Sequence, residues 1–108
     1  MRKKIVAGNW KMNTTVPEGV QLAKDVLAKV SEVPADVKLV VAPPFVHISS
    51  VGEVLAGSAV GLSAQNCADE VKGAYTGEVS AKMLSSEWPR ITYCTPTEES
   101  IFAETSPV

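Results

Sequence analysis

Short apolar runs alternate with segments of helical periodicity along this chain, and this alternation limits its fold more than any other feature. The runs are apolar throughout instead of alternating with polar residues, which is typical of parallel strands covered by helices. They lie at residues 4–8, 37–41, 60–64 and 91–94. Each gap has room for one crossover helix. The order β-α-β-α-β-α-β therefore predicts an α/β fold with buried parallel strands.

Three helices are predicted between these strands. The first begins near Thr15, because Thr15 and Glu18 fit a capping box and Pro17 falls in the first turn. Its apolar face recurs at helical spacing at Val20, Ala23, Val26, Leu27 and Val30. Apolar positions at helical spacing over residues 48–55 indicate a shorter second helix, and residues 79–86 form the third.

Size and composition point to a single domain over residues 1–108, because 108 residues with 45% apolar side chains can build one core. The formal charge of −2 predicts neither a nucleic-acid nor a membrane partner. The basic N-terminal stretch has too short an apolar segment for a signal peptide. Cys67 and Cys94 lack metal-site spacing, and two unpaired thiols favour a reducing compartment. These observations predict a cytoplasmic protein.

Two polar side chains follow the first strand directly. Asn9 and Lys11 flank Trp10 in the stretch "VAGNWKMN". Side chains just beyond the carboxyl ends of parallel strands line the functional edge of such sheets. A lysine there suits a phosphate or a developing oxyanion, and the neighbouring amide can orient it or contact a neutral polar group. On spacing alone, a surface lysine beside a turn-forming asparagine explains the pair equally well.

The segment after the third strand, "AQNCADEVKGAYTGE", is long for a connection between a strand and a helix. Tyr75 and Thr76 lie between glycines at its tip. The segment is either a packed surface loop or an arm that inserts into a partner. His47, the only histidine, has no second ligand or nucleophile nearby, so a helix-start or surface role is expected.

At these residues the chain resembles the triosephosphate isomerase family. The motifs that carry the resemblance follow the family's order and spacing: "AGNWKMN" (7–13), "APPF" (42–45), "AQN" (64–66) and "GAYTGE" (73–78). The resemblance implies the N-terminal part of a (β/α)₈ barrel, about its first four βα units. It also implies interconversion of dihydroxyacetone phosphate and glyceraldehyde 3-phosphate, without a metal or an organic cofactor.

The resemblance assigns roles to individual residues. Lys11 becomes a catalytic and substrate-binding residue that neutralises the triose phosphate and its enediolate, and Asn9 helps to hold the substrate oxygens. The family forms homodimers through the loop at 65–78, which places Tyr75, Thr76 and Cys67 at a subunit interface. Glu78 and Glu104 become supporting residues.

Residues 87–99 depart from the family pattern. Thr95 stands where the family has its catalytic histidine, and Glu98 and Glu99 replace two arginines that would pair with Glu78. The codons for "YCTPTEE", read one nucleotide earlier, can encode Leu-His-Ser-Asp-Arg-Arg. We therefore hypothesise a local, compensated frameshift, which the nucleotide sequence decides.

The chain is also short, since a barrel of this class needs roughly 250 residues. With the catalytic histidine and glutamate absent, the isolated chain is expected to be inactive. Two alternatives stay open. One is a non-catalytic half-barrel that binds phosphate or oligomerises through its open sheet edges. The other is a small open-sheet phosphate binder, which would need a glycine-rich turn before a helix.

Overall fold

The computed structural model describes residues 4–87, 91–94 and 103–104, and it confirms the predicted alternation of strands and helices. The elements in chain order are β1 (Lys4–Asn9), α1 (Val16–Ala28), β2 (Val37–Ala42), α2 (Ile48–Leu55), β3 (Gly61–Ser63), α3 (Ala81–Glu87), β4 (Ile91–Cys94) and β5 (Ala103–Glu104). Short 3₁₀ turns at Val30–Glu32 and Phe45–His47 follow α1 and precede α2. The structure is α/β, consistent with a partial TIM barrel.

The strands form one sheet in which each strand lies beside the preceding strand of the chain, in the order β1-β2-β3-β4-β5. The first four are parallel, as predicted. The pairing of β1 with β2 runs in unbroken register from Lys4 opposite Val37 to Asn9 opposite Ala42. The two-residue strand β5 pairs antiparallel with β4 and was not predicted, because so short a strand carries no readable periodicity.

The prediction that the first strand is buried is wrong. All six residues of β1 are exposed, and Ile5 and Val6 are 48% and 57% exposed. Among the described residues, β1 pairs only with β2. The buried cores of the described part take their residues from other elements. Within the described part of the chain, the first strand is therefore an apolar edge strand with an open hydrogen-bonding side.

The main core lies where α1 and α2 pack on β2 and β3. Its buried members are Ala23, Val41, Ile48, Val51, Leu55, Val60 and Leu62. The predicted apolar face of α1 is confirmed at Ala23, Val26 and Leu27, which belong to this cluster or pack against it. Val30 packs against it as well, but from the 3₁₀ turn that follows the helix. A second, smaller cluster consists of Ala64, Cys67 and Leu84. It lies at the base of the long loop at 65–78, which connects β3 to α3. The main cluster includes Val41 of β2 and Leu62 of β3, so it holds these two strands to the same helices.

The start of α1 agrees with the prediction in position and differs in its hydrogen bonds. Thr15 is the N-cap residue and a proline lies in the first turn. The Thr15 hydroxyl, however, donates to Glu18 Oε1 at 3.0 Å instead of accepting a backbone N–H. No helix among the described residues has the length and apolarity needed to cross a membrane.

Candidate functional site

The carboxyl ends of the first three strands meet at one edge of the sheet, and Gln65 joins them. Its Nε2 donates to the carbonyl oxygen of Lys11 at 2.9 Å and to that of Ala42 at 3.0 Å. The backbone N–H of Trp10 also donates to Ala42 O at 3.0 Å. Residues that follow β1, end β2 and follow β3 are thus held together, as expected for neighbouring parallel strands.

The stretch from Asn9 to Thr15, called the rim segment below, connects β1 to α1 in an unusual conformation. Lys11 has φ +56° and Thr14 has φ +73°. Left-handed backbone is uncommon for residues other than glycine, and it is held only where the surroundings determine it. Asn9 Oδ1 accepts the N–H of Lys11 at 2.8 Å, and Asn13 Nδ2 donates to Trp10 O at 2.7 Å. The rim segment is therefore stabilised by its own amide side chains.

Lys11 projects an exposed cation from the rim segment. Within residues 4–87, its ammonium group has neither an ion pair nor a hydrogen bond. Asn9 adjoins it, exposed and bonded through its side-chain oxygen to the backbone of Lys11. The two side chains singled out from the sequence thus lie in one segment at the carboxyl edge of the sheet, and the Asn9 amide holds the backbone of Lys11. Such a cation can neutralise a phosphate or an oxyanion.

His47 is buried at the far end of the rim segment, which the sequence did not reveal. It is 2% exposed and lies at the end of the 3₁₀ turn before α2. The helix-start position is thus confirmed and the surface position is wrong. Its Nε2 lies 3.0 Å from Thr14 Oγ1 and 3.0 Å from Thr15 O. The reason for the burial is that α1 crosses the turn here, with Gly19 leaving room for the ring.

The long loop folds back on itself and presents its tip to solvent. An isolated parallel bridge between Ala68 and Ser80 closes its base. Residues 69–78 are exposed throughout. At the tip, Glu78 N donates to Tyr75 O at 3.0 Å, and Gly77 has φ +88°, as a type II turn requires. Tyr75 and Thr76 thus lie at an exposed tip, and its insertion into a partner stays a prediction.

Cys67 lies at the base of this loop, 6% exposed. It is disulfide-bonded, so the expectation of two free thiols is wrong. Spacing could not reveal this bond, since it depends on how the chain folds rather than on a motif.

Of the remaining predicted residues, the structure describes Glu78 and Glu104. Glu78 is exposed and has no ion pair within the described residues. Glu104 lies in β5. The predictions at Thr95, Glu98 and Glu99 fall outside the residues that the structure describes. The supporting roles of Glu78 and Glu104 stay predictions.

Three residues of this site escaped the sequence analysis as functional candidates: Gln65, Thr14 and His47. Gln65 stands in the motif "AQN", but nothing in its type shows that it reaches two other strand ends. The contact between Thr14 and His47 leaves no recognisable pattern in the sequence, since the two residues lie 33 positions apart in the chain.

Comparisons with known proteins agree on one family. A family model described as "Triosephosphate isomerase" matches residues 4–92. The chain is 42% identical to the triosephosphate isomerase of Porphyromonas gingivalis over 109 aligned positions, covering 100% of this chain and 43% of that protein. It is 48% identical over 86 positions to that of Phocaeicola vulgatus, covering 80% and 34%. The one from Chlorobium chlorochromatii is 52% identical over 84 positions, covering 78% and 33%. The chain spans less than half the length of these relatives, and it belongs to the triosephosphate isomerase family.

Proposed function

We propose that this chain supplies the substrate-binding lysine of a triosephosphate isomerase, which interconverts dihydroxyacetone phosphate and glyceraldehyde 3-phosphate in glycolysis and gluconeogenesis. The observation that carries the proposal is the exposed ammonium of Lys11 at the carboxyl edge of the sheet, without a partner within residues 4–87. Its cation would neutralise the phosphate and the negative charge that develops on the enediolate oxygen. Asn9 would orient it and contact the substrate oxygens.

The rim segment supports this role because it is fixed before any substrate arrives. Gln65 holds the backbone of Lys11, and Asn9 holds its N–H. Because the backbone of Lys11 is already fixed, less reorganisation is needed to bring its charge to the substrate, and such preorganisation is a main source of electrostatic catalysis. A family relationship alone would not require this preorganisation, whereas binding of a developing anion does.

The isolated chain is expected to be catalytically inactive. Its sequence has a threonine at the position that matches the family's histidine, and a hydroxyl does not transfer protons at neutral pH as an imidazole does. The measurement is conversion of glyceraldehyde 3-phosphate by the purified 108-residue chain. Turnover above the uncatalysed rate would contradict the prediction.

A chimera tests the proposed activity itself. Residues 1–86 of this chain are joined to the part of the Porphyromonas gingivalis isomerase that follows the matching position. We expect the chimera to isomerise the triose phosphates, because this chain contributes the lysine and the relative contributes everything beyond residue 86. A folded but inactive chimera would count against the proposal. The unaltered relative, purified alongside, is the positive control.

We also propose that the chain associates as a homodimer through the loop at 65–78. Tyr75 is 51% exposed at its tip, and Thr76 lies beside it. Near the base of this loop, an apolar groove of about 270 Å³ is lined in part by Phe45, Val46 and Met83, which are all more than half exposed. Exposed apolar side chains that line one groove are a property of surfaces that bind proteins.

Association is expected to depend on both the loop tip and the groove. Replacing Tyr75 by Asp puts a charge where the proposed interface would exclude water, so the mass in solution should fall to that of a monomer. The measurement is light scattering after size-exclusion chromatography over a range of concentrations. Replacing Glu53, an exposed residue of α2, by Gln is the control. A monomeric unaltered chain would contradict the proposal.

We place the whole protein in the cytoplasm, where triose phosphates are interconverted in glycolysis. One structural observation opposes this location, since a disulfide at Cys67 is uncommon in cytosolic proteins.

The second candidate function, a non-catalytic half-barrel, is favoured by the fully exposed edge strand β1. It predicts association that does not change when the loop tip is altered.

A further inference from the structure

His47 is a buried polar side chain that contacts the C-terminal half of the rim segment. Its Nε2 atom lies within hydrogen-bond distance of both Thr14 Oγ1 and Thr15 O, at 3.0 Å each. Thr14 has left-handed backbone. The imidazole is 2% exposed, so these contacts are shielded from water and strengthened by that shielding. The ring therefore holds the C-terminal end of the rim segment, whereas Gln65 holds the backbone of Lys11.

The hydrogen atoms in this contact can be assigned from its partners. Thr15 O is a carbonyl and can only accept, so His47 Nε2 must carry a hydrogen. The Thr14 hydroxyl donates to Asn13 O, so its oxygen is left to accept from the same Nε2–H. His47 Nδ1 is buried and has no hydrogen-bond partner among the residues that the structure describes. The neutral Nε2–H tautomer satisfies both contacts, whereas in the Nδ1–H tautomer Nε2 would have no hydrogen to donate to Thr15 O and could only accept from the Thr14 hydroxyl.

Gly19 shows how closely the ring is seated against α1. A Cβ atom at this position would lie 2.3 Å from His47 Cδ2 and 3.1 Å from Nε2. Real Cβ atoms do not approach so closely, so the glycine provides the space that the imidazole occupies. The ring thus contacts the first turn of α1 and the rim segment together. It has little freedom to rotate out of the bond to Thr14.

We propose that His47 is a positioning residue for Lys11, and that it acts as a neutral Nε2–H donor that holds the C-terminal half of the rim segment. The inference rests on the proposed function, because it concerns the same lysine. Gln65 fixes the backbone of Lys11 from one side, and His47 fixes Thr14 and Thr15 from the other. Without His47, the rim segment is free to relax from its left-handed conformation, and the ammonium moves away from the position in which it meets the phosphate.

The tautomer is measured directly on the 108-residue chain. Long-range ¹H–¹⁵N correlation spectra of the labelled chain at neutral pH should show Nε2 as the protonated nitrogen of His47 and Nδ1 as the bare one. This readout does not depend on any ligand. A spectrum with Nδ1 protonated, or with two tautomers in exchange, would overturn the proposal.

Two substitutions then separate positioning from packing. His47→Gln can keep a donor near the position of Nε2, whereas His47→Leu removes it. Affinity for dihydroxyacetone phosphate is followed through the backbone amide signals of Asn9 and Lys11. We expect His47→Leu to weaken binding about tenfold, the factor that corresponds to one lost buried hydrogen-bonding group, and His47→Gln to restore most of it.

A third variant controls for general destabilisation. Val51→Ala opens a cavity at a fully buried site of α2 that belongs to the core and not to the rim segment. It should lower stability and leave the affinity of the folded chain unchanged. Equal weakening by Val51→Ala and His47→Leu, or no weakening by the latter, would refute the positioning role.

The failure of the proposed function would look different. In that case the unaltered chain would not bind dihydroxyacetone phosphate, or Lys11→Met would bind it equally well. The tautomer of His47 and the amide shifts of residues 9–15 in His47→Leu would still decide whether the imidazole holds the rim segment.

Discussion

Replacing Lys11 by Met in the chimera is expected to lower kcat/KM by about 10²–10³ or more, the cost of removing one preorganised group that stabilises a developing oxyanion. Methionine has nearly the length and volume of lysine and no charge, so the substitution removes the cation with little change in packing. KM should rise as well, because the same charge binds the phosphate before the reaction. The measurement is steady-state kinetics with glyceraldehyde 3-phosphate.

The matched control for this experiment is Lys24→Met. Lys24 lies on the exposed surface of α1 and outside the rim segment, so the chimera loses the same formal charge without losing the proposed ligand. Its kcat/KM should stay within about twofold, because exposed charges contribute little when they are remote from the site. The assignment of Lys11 to the substrate would lose its basis in either of two cases. In one, the loss of kcat/KM in Lys11→Met is ten times smaller than expected; in the other, Lys11→Met and Lys24→Met lower kcat/KM equally.

Leu55→Ala should cost about 2–5 kcal/mol of unfolding free energy, which is the range for a buried leucine whose cavity does not collapse. Leu55 is 4% exposed in the main core, between α2 and the strands. For a chain of this size the loss is a large part of the total stability. Urea unfolding followed by far-ultraviolet circular dichroism gives the change.

Leu22→Ala is the comparison for that loss. Leu22 is a leucine in α1 that is 37% exposed, so truncating it removes fewer contacts and leaves no closed cavity. It should cost less than about 1 kcal/mol. If the two variants were equally stable, the cluster around Leu55 would not be the core that holds the helices on the sheet.

Helical periodicity predicted the three helices found in the described part of the chain. The apolar runs were sufficient to predict the parallel strands, because burial on both faces leaves a continuous signal in the sequence. The same signal misled at β1. Ile5 and Val6 are as apolar as the residues of β2, yet both are exposed. Apolar character shows that a strand is suited to burial, whereas burial itself depends on what covers the strand. The sequence pattern carries no information on what covers the strand.

The candidate site was predictable to a similar degree. Asn9 and Lys11 could be placed at the functional edge because that placement follows from strand direction alone. The bonds of Gln65 and His47 could not, since each joins segments that are far apart in the chain and becomes visible only when the strands are in register. The capping box at Thr15 was predicted by residue type, but its hydroxyl bonds to the Glu18 side chain instead.

The sheet has a further consequence for how this domain assembles. Because every strand lies beside the one that precedes it in the chain, each new βα unit has its docking surface ready when it leaves the ribosome. Contacts between successive units close shorter loops than pairings between distant strands would, which favours stepwise folding. An error in one unit, such as a shifted reading frame, would therefore leave the earlier units able to form. The βα units of this protein can therefore fold one after another during synthesis, and each unit that is correct can form whether or not a later unit is.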